Sequence, residues 1–276
     1  MKRIGLTILI LMTAIFLFGC NSTEEAKNYT YTQENGVYRV QEEGLVIEMD
    51  EQACADQGER DRATSQLLQA LEKAKTLLTS RQAAQTQVQC RLLSGDGVSQ
   101  VRDGEVDIYY YDTIPQPYVN YMVQALLGTD VPDFLREGVA AYGAQQMGES
   151  LADSYAQALQ PLWAQQEGEE SSGSHVTLTD MAKALAADEK IASGSLAEAK
   201  ELGDMLAGIS EQADGEEAQN YHAAYCIYAG SFIEYWAEQQ GIDTILDWYE
   251  EGADESAMEE SLPLLMASWR QEGLNS

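Results

Sequence analysis

Residues Tyr118 to Tyr142, YVNYMVQALLGTDVPDFLREGVAAY, constrain this chain more than any other stretch. Asn120 and Gln124 are four residues apart, a spacing that on a helix turns both amides to one face, and Glu137 follows thirteen residues after Gln124.

The segments before this pair have the patterning of strands. Tyr38 to Met49 (YRVQEEGLVIEM) alternates about a turn at Gly44, and Val88 to Leu93 is a short β run. Glu105 to Asp112 (EVDIYYYD) sets Val106, Ile108 and Tyr110 against polar neighbours, as a half-buried strand does. Between them, Leu67, Leu68, Leu71, Ala74, Leu77 and Leu78 recur at helical spacing within Glu59 to Ser80. Ser94-Gly95-Asp96-Gly97 is a turn by composition. After Tyr142 the chain reads as helix from Gln145 to Gln166, with Leu151, Tyr155, Leu159 and Trp163 on one face. A loop from Gly168 to His175 follows, then a helix opened by Thr177-Leu178-Thr179-Asp180 with Thr179 as its cap, running to about Ala187. Gly203 to Gly215 is polar and glycine-punctuated. Two further segments, Tyr225 to Gly241 and Glu255 to Arg270, follow.

Several of these segments fall on one family's motifs in the correct order. Phe134, Leu135, Glu137, Gly138, Ala140 and Tyr142 match W-L-x-E-G-x-A-x-Y in register. YCIYAGSFIEYWAEQQG (Tyr225 to Gly241) matches Y-x-x-x-x-G-S-F-x-x-Y-L-x-x-x-x-G, and Glu255 to Arg270 ends in the expected Trp-Arg pair. Over residues 38 to 272 the chain therefore resembles the gluzincin (thermolysin-like) zinc metallopeptidases. That resemblance implies an α+β fold. It places a small N-terminal mixed sheet with an edge strand against the active-site-type helix, followed by a mostly helical C-terminal part. It makes Glu105 to Asp112 the substrate-side edge strand.

The family's first helix carries H-E-x-x-H, and here Asn120, Tyr121 and Gln124 occupy its three functional positions. In the family the two His and the Glu of the next helix, Glu137 here, hold zinc, while the intervening Glu deprotonates the metal-bound water. Proteins hold zinc through Cys, His and carboxylate, so two amides and one carboxylate are a poor set. A phenol titrating near about 10 is no base at neutral pH. No catalytic residue, metal or cofactor is therefore expected. In place of a metal, the amides of Asn120 and Gln124 have donors with which to bond Glu137 directly and preserve helix packing. The histidines offer little rescue. His175 lies in the low-complexity loop, and His222 just precedes the backing helix, where it can approach Glu137. Ser231 has no nucleophile pattern around it. Tyr109, Tyr111, His222 and Tyr225 are candidate groove residues, and Trp236, Trp248 and Trp269 are expected in the core.

The N-terminus has the form of a bacterial lipoprotein leader. Lys2 and Arg3 precede an apolar run from Ile4 to Phe18 that is short for a transmembrane helix, and Leu17-Phe18-Gly19-Cys20 resembles a lipobox. A diacylglyceryl group on Cys20 would anchor the chain by two buried lipid tails. The expected organisation is a signal peptide (1–19), a lipidated tether (20–35), an α+β part (36–142) and a helical part (143–276). The net charge is −30, and it becomes −32 when the leader carrying Lys2 and Arg3 is removed. Such a surface repels phosphate backbones, which excludes nucleic-acid binding. No D-x-D-x-D-G loop supports a calcium site. Cys54, Cys90 and Cys226 are an odd set outside the cytoplasm; a Cys54–Cys90 bridge and buried thiols both remain open. The reading is an inactive, peptidase-like lipoprotein on the extracytoplasmic face of the cell membrane, binding a peptide or protein partner in the former substrate groove. The alternatives are an active hydrolase with non-standard ligands, Glu137 with His222 among them, and a structural accessory lipoprotein of an envelope complex.

Overall fold

The computed structural model describes residues 28–78, 83, 85–95, 97, 99–110, 116–128, 133–151, 154, 177–186, 216–250 and 264–274. Six strands form one mixed sheet: β1 (Thr32–Glu34), β2 (Val37–Glu42), β3 (Leu45–Asp50), β4 (Val88–Leu93), β5 (Gln100–Arg102) and β6 (Glu105–Tyr109), in the order β1-β2-β3-β4-β6-β5. β1, β2 and β3 form an antiparallel meander, with Gly44 at φ 76° in the β2–β3 turn, a left-handed conformation that favours glycine. β3 and β4 run parallel because helix α1 (Gln57–Leu77) carries the chain back between them. β4 also pairs in parallel with β6, and Arg91 forms two 2.6 Å bonds to Asp107, its register partner.

The period-two pattern has a direct outcome. Leu45, Ile47 and Met49 of β3, Val88, Cys90 and Leu92 of β4, and Val106 and Ile108 of β6 are all fully buried. They belong to one core with Leu67, Leu71 and Ala74 of α1. Asp56 caps α1 by accepting from the Glu59 amide at 2.8 Å, while the Glu59 carboxylate accepts from the Ala55 amide at 2.9 Å. The N-terminal side of the core closes earlier than expected. Tyr29 is buried, its amide donates to Asp61 at 3.2 Å, and β1 already begins at Thr32, so packed structure starts within the stretch 20–35 expected to be a tether.

Helices α2 (Tyr118–Leu127) and α3 (Asp133–Gln146) lie where the sequence places them, and every residue of α2 is buried. α3 ends where Gly148 takes φ 80°, and the Glu149 amide donates to Ala144 O at 2.9 Å. The helix expected to continue unbroken from Gln145 is thus interrupted at Met147-Gly148, and most of it lies outside the described residues. α4 (Leu178–Ala186) is capped by Thr177 rather than Thr179: Thr177 Oγ1 accepts from the Asp180 amide at 3.0 Å, and Asp180 accepts in return from the Thr177 amide at 3.2 Å. Thr179 instead donates its hydroxyl to Glu234 at 2.7 Å. α5 (Glu216–Gln240) packs along α3 and begins nine residues earlier than Tyr225, followed by α6 (Ile242–Glu250). Residues 264–268 are α-helical and pass into a π-helical turn, Trp269–Leu274. Trp269 is fully buried and donates to Ser231 Oγ at 3.1 Å, which docks this last segment on α5.

One expectation about the sheet is corrected. β6 is not the edge: β5 covers it through the pairs Gln100–Asp107, Val101–Val106 and Arg102–Glu105. The edge strand against α2 is β5. A three-residue strand ending in a glycine turn carries almost no alternation, so periodicity does not reveal it. Among the described residues no helix is long and apolar enough to cross a membrane. The leader, Cys20, the loop from Gly168 to His175, residues 203–215 and the start of the last helix lie outside them.

Candidate functional site

The site is built on three helices. α2 starts at Pro117, which supplies no side-chain cap. The cap comes instead from Glu149, which accepts the Val119 amide at 2.9 Å and the Asn120 amide at 3.1 Å. Those amides are otherwise orphaned at a helix start, and the helix dipole favours a negative charge there. Burial nevertheless pushes the Glu149 carboxyl up to about 7, against the downward pull of these amides and of Lys73. At its other end, α2 is tied to the sheet: Gly104 N in the β5–β6 turn donates to Ala125 O at 3.3 Å, and Gln85 N donates to Leu126 O at 3.1 Å.

Asn120, Gln124 and Glu137 meet in the core between α2 and α3. All three are buried. Gln124 Nε2 donates to Glu137 Oε2 at 2.6 Å and to Asn120 Oδ1 at 2.7 Å. A nitrogen between two oxygens satisfies both contacts, which fixes the orientation of the Gln124 amide beside the carboxylate. Glu137 is therefore not an exposed helix residue, and its charge is met by a charge-assisted bond. Asn120 Nδ2 is buried and has no hydrogen-bond partner among the described residues. Glu137→Gln keeps the shape and removes the charge from this arrangement. It is expected to lower stability by about 1–3 kcal/mol, read as a shift of the denaturant midpoint at constant slope. An unchanged midpoint would mean that the network contributes nothing.

Tyr121 is buried, and burial raises its phenol above the ordinary range, further from any role as a base. The other faces of Glu137 are met by α5. His222 lies inside this helix rather than before it, one turn from Cys226. Cys226 Sγ stands 3.2 Å from Glu137 Oε2 and 3.7 Å from His222 Nε2. Cys226 is buried and His222 half-buried. The approach of α5 to α3 depends on Gly138, where an added Cβ would lie 2.6 Å from Ala229 O.

The candidate groove residues separate. His222 reaches Glu137 as described. Tyr225 is buried, edge-on to Phe134 at a centroid distance of 5.9 Å, so it belongs to helix packing rather than to a groove wall. Tyr109 is half-buried, its ring against Gly97, and its amide donates to Ser99 Oγ at 3.2 Å. Tyr111 and His175 lie outside the described residues, as does the side chain of Trp248. Trp236 and Trp269 are in the core. Cys54 and Cys90 are both buried thiols with no disulfide between them, and burial raises Cys54 to about 12 and Cys90 higher still.

Two residues of this cluster and its cap escaped the sequence reading. Cys226 reads as a buried helix cysteine, and only the early start of α5 places it on one face with His222. Glu149 follows a Gly in a polar stretch and gives no local sign of capping a helix that begins thirty residues before it. No family model matches this chain, and no curated protein or solved structure matches it either.

Proposed function

We propose that the protein is a membrane-anchored, peptidase-like lipoprotein without hydrolytic activity of its own, lipidated at Cys20 and held on the extracytoplasmic face of a bacterial cell membrane. The observation that carries this reading is the 2.6 Å bond from Gln124 to Glu137. It joins directly two positions that the family resemblance assigns to zinc ligands, while Tyr121 stands where the general base belongs. Without a base to take the proton of an attacking water, hydrolysis by that route has no first step.

The retained framework suits binding. β5 is one of the two terminal strands of the sheet, lies against α2 and has Gln100 and Arg102 exposed. An extended peptide or a partner's strand would add to such an edge through main-chain hydrogen bonds. The proximity of Glu137 to His222 and Cys226 supports the alternative, a hydrolase with non-standard ligands.

Incubating metal-stripped and zinc-supplemented protein with unfolded casein separates these readings. No cleavage is expected under either condition, and amide exchange across Gln100–Arg102 should slow. Zinc-dependent cleavage would establish the hydrolase. Unchanged exchange in β5 would remove strand addition and leave the scaffold role.

A further inference from the structure

We infer that Glu137, His222 and Cys226 form a zinc site that ties α5 to α3. The three ligand atoms come from two packed helices and lie within 4.8 Å of one another. In a tetrahedral zinc site, bonds of about 2.0–2.3 Å place neighbouring ligand atoms roughly 3.3–3.6 Å apart. The observed separations of 3.2 Å from Cys226 Sγ to Glu137 Oε2 and 3.7 Å from Cys226 Sγ to His222 Nε2 bracket that range. His222 and Cys226 are one turn apart on α5, a spacing that turns two ligands toward one ion.

The donor set selects the metal class. Thiolate, imidazole and carboxylate suit a borderline-soft divalent ion, whereas calcium and magnesium prefer oxygen alone. Binding requires the Cys226 thiol to lose its proton to solvent, and the ion's charge favours that loss. Support from outside the ligands is already built. The Gln124 amide holds Glu137 Oε2 at 2.6 Å, and Asn120 holds that amide in turn at 2.7 Å. The buried Asn120 Nδ2 on the same amide pair has no partner among the described residues. The half-buried His222 gives the ion a way in.

The site differs from the one implied by the peptidase resemblance. Only Glu137 is shared, and both nitrogen and sulfur ligands come from the backing helix. With Tyr121 at the base position, its expected role is to hold α5 in place rather than to activate water.

The test uses the full chain purified in detergent, stripped with a chelator and titrated with cobalt(II) and then zinc. One cobalt per chain is expected, with the near-ultraviolet thiolate-to-cobalt charge-transfer band and the strong visible bands of a tetrahedral site, both erased by zinc. His222→Ala, at a half-buried position, should weaken zinc binding at least about 100-fold while circular dichroism stays unchanged, since losing a ligand exceeds the usual effect of losing an outer partner. Cys226→Ser should abolish the charge-transfer band. If Cys226→Ser fails to fold, the parent spectrum and His222→Ala decide. A parent protein without the band, or a band and affinity that survive His222→Ala, would overturn the site. Zinc-dependent casein cleavage would overturn the inactive reading and the purely structural role of the ion, whereas a missing cobalt spectrum would overturn the metal site itself, so the two proposals fail by different measurements.

Discussion

Gly138→Ala is expected to destabilise the protein by about 2–3 kcal/mol. The cause is a backbone collision rather than a change in local propensity. The new Cβ would lie 2.6 Å from Ala229 O and from Ile233 Cγ1, and 3.0 Å from Ala229 C, all on α5. A carbonyl in the middle of a helix cannot swing aside as a side chain can, so α3 and α5 must separate. Overpacking of this kind costs about 1–3 kcal/mol, and here the backbone contact pushes toward the upper end. Alanine's better helix propensity returns up to about 1 kcal/mol. Gly143→Ala makes the useful control: its Cβ would meet the end of the Leu77 side chain rather than backbone. Chemical denaturation should therefore show a larger midpoint shift at 138 than at 143. Equal shifts would mean that the α3–α5 approach is not the constraint. Because Glu137 is adjacent, the same substitution should also carry His222 and Cys226 away from it.

The second large effect depends on pH. Glu149 has its carboxyl raised from 4.5 to about 7, with burial as the main cause. A group whose folded value is raised binds more protons folded than unfolded between those limits. Its contribution is then fully present below pH 4.5 and is lost as pH rises through about 7. The loss amounts to at most about 3.5 kcal/mol, since each tenfold change in proton affinity is worth about 1.4 kcal/mol. The many surface carboxylates act in the same direction through mutual repulsion, so the parent curve alone does not isolate Glu149. Glu149→Gln keeps an oxygen for one of the two amides it caps, loses the acceptor at the other, and removes the titration, so absolute stability falls at every pH while its pH dependence is lost. Its stability should vary less than the parent's between pH 4.5 and 7, and the difference between the two curves is the measurement. Parallel curves would show that Glu149 ionises freely in the fold.

The sheet and the paired helices were legible because their evidence is local. Alternation marks β2, β3, β4 and β6, and recurring leucines mark α1, while α2 and α3 were expected from the resemblance of the stretch Tyr118 to Tyr142 to a known segment. Three things were not local. β5 is too short for a period, the real start of α5 lies in a segment without apolar periodicity, and the α2 cap is supplied from beyond α3. Each depends on what another part of the chain places beside it.

The sequence by itself determined the α+β architecture and the pair of amides one helical turn apart, Asn120 and Gln124, because spacing and residue type are properties of the string. Only the tertiary structure decided that Gln124 bonds Glu137, that β5 rather than β6 forms the sheet edge, and that Cys226 and His222 converge on the same carboxylate. Helix-to-helix approach is set by the absence of a side chain at Gly138 opposite a carbonyl many residues away, and no one-dimensional pattern records which carbonyl that is.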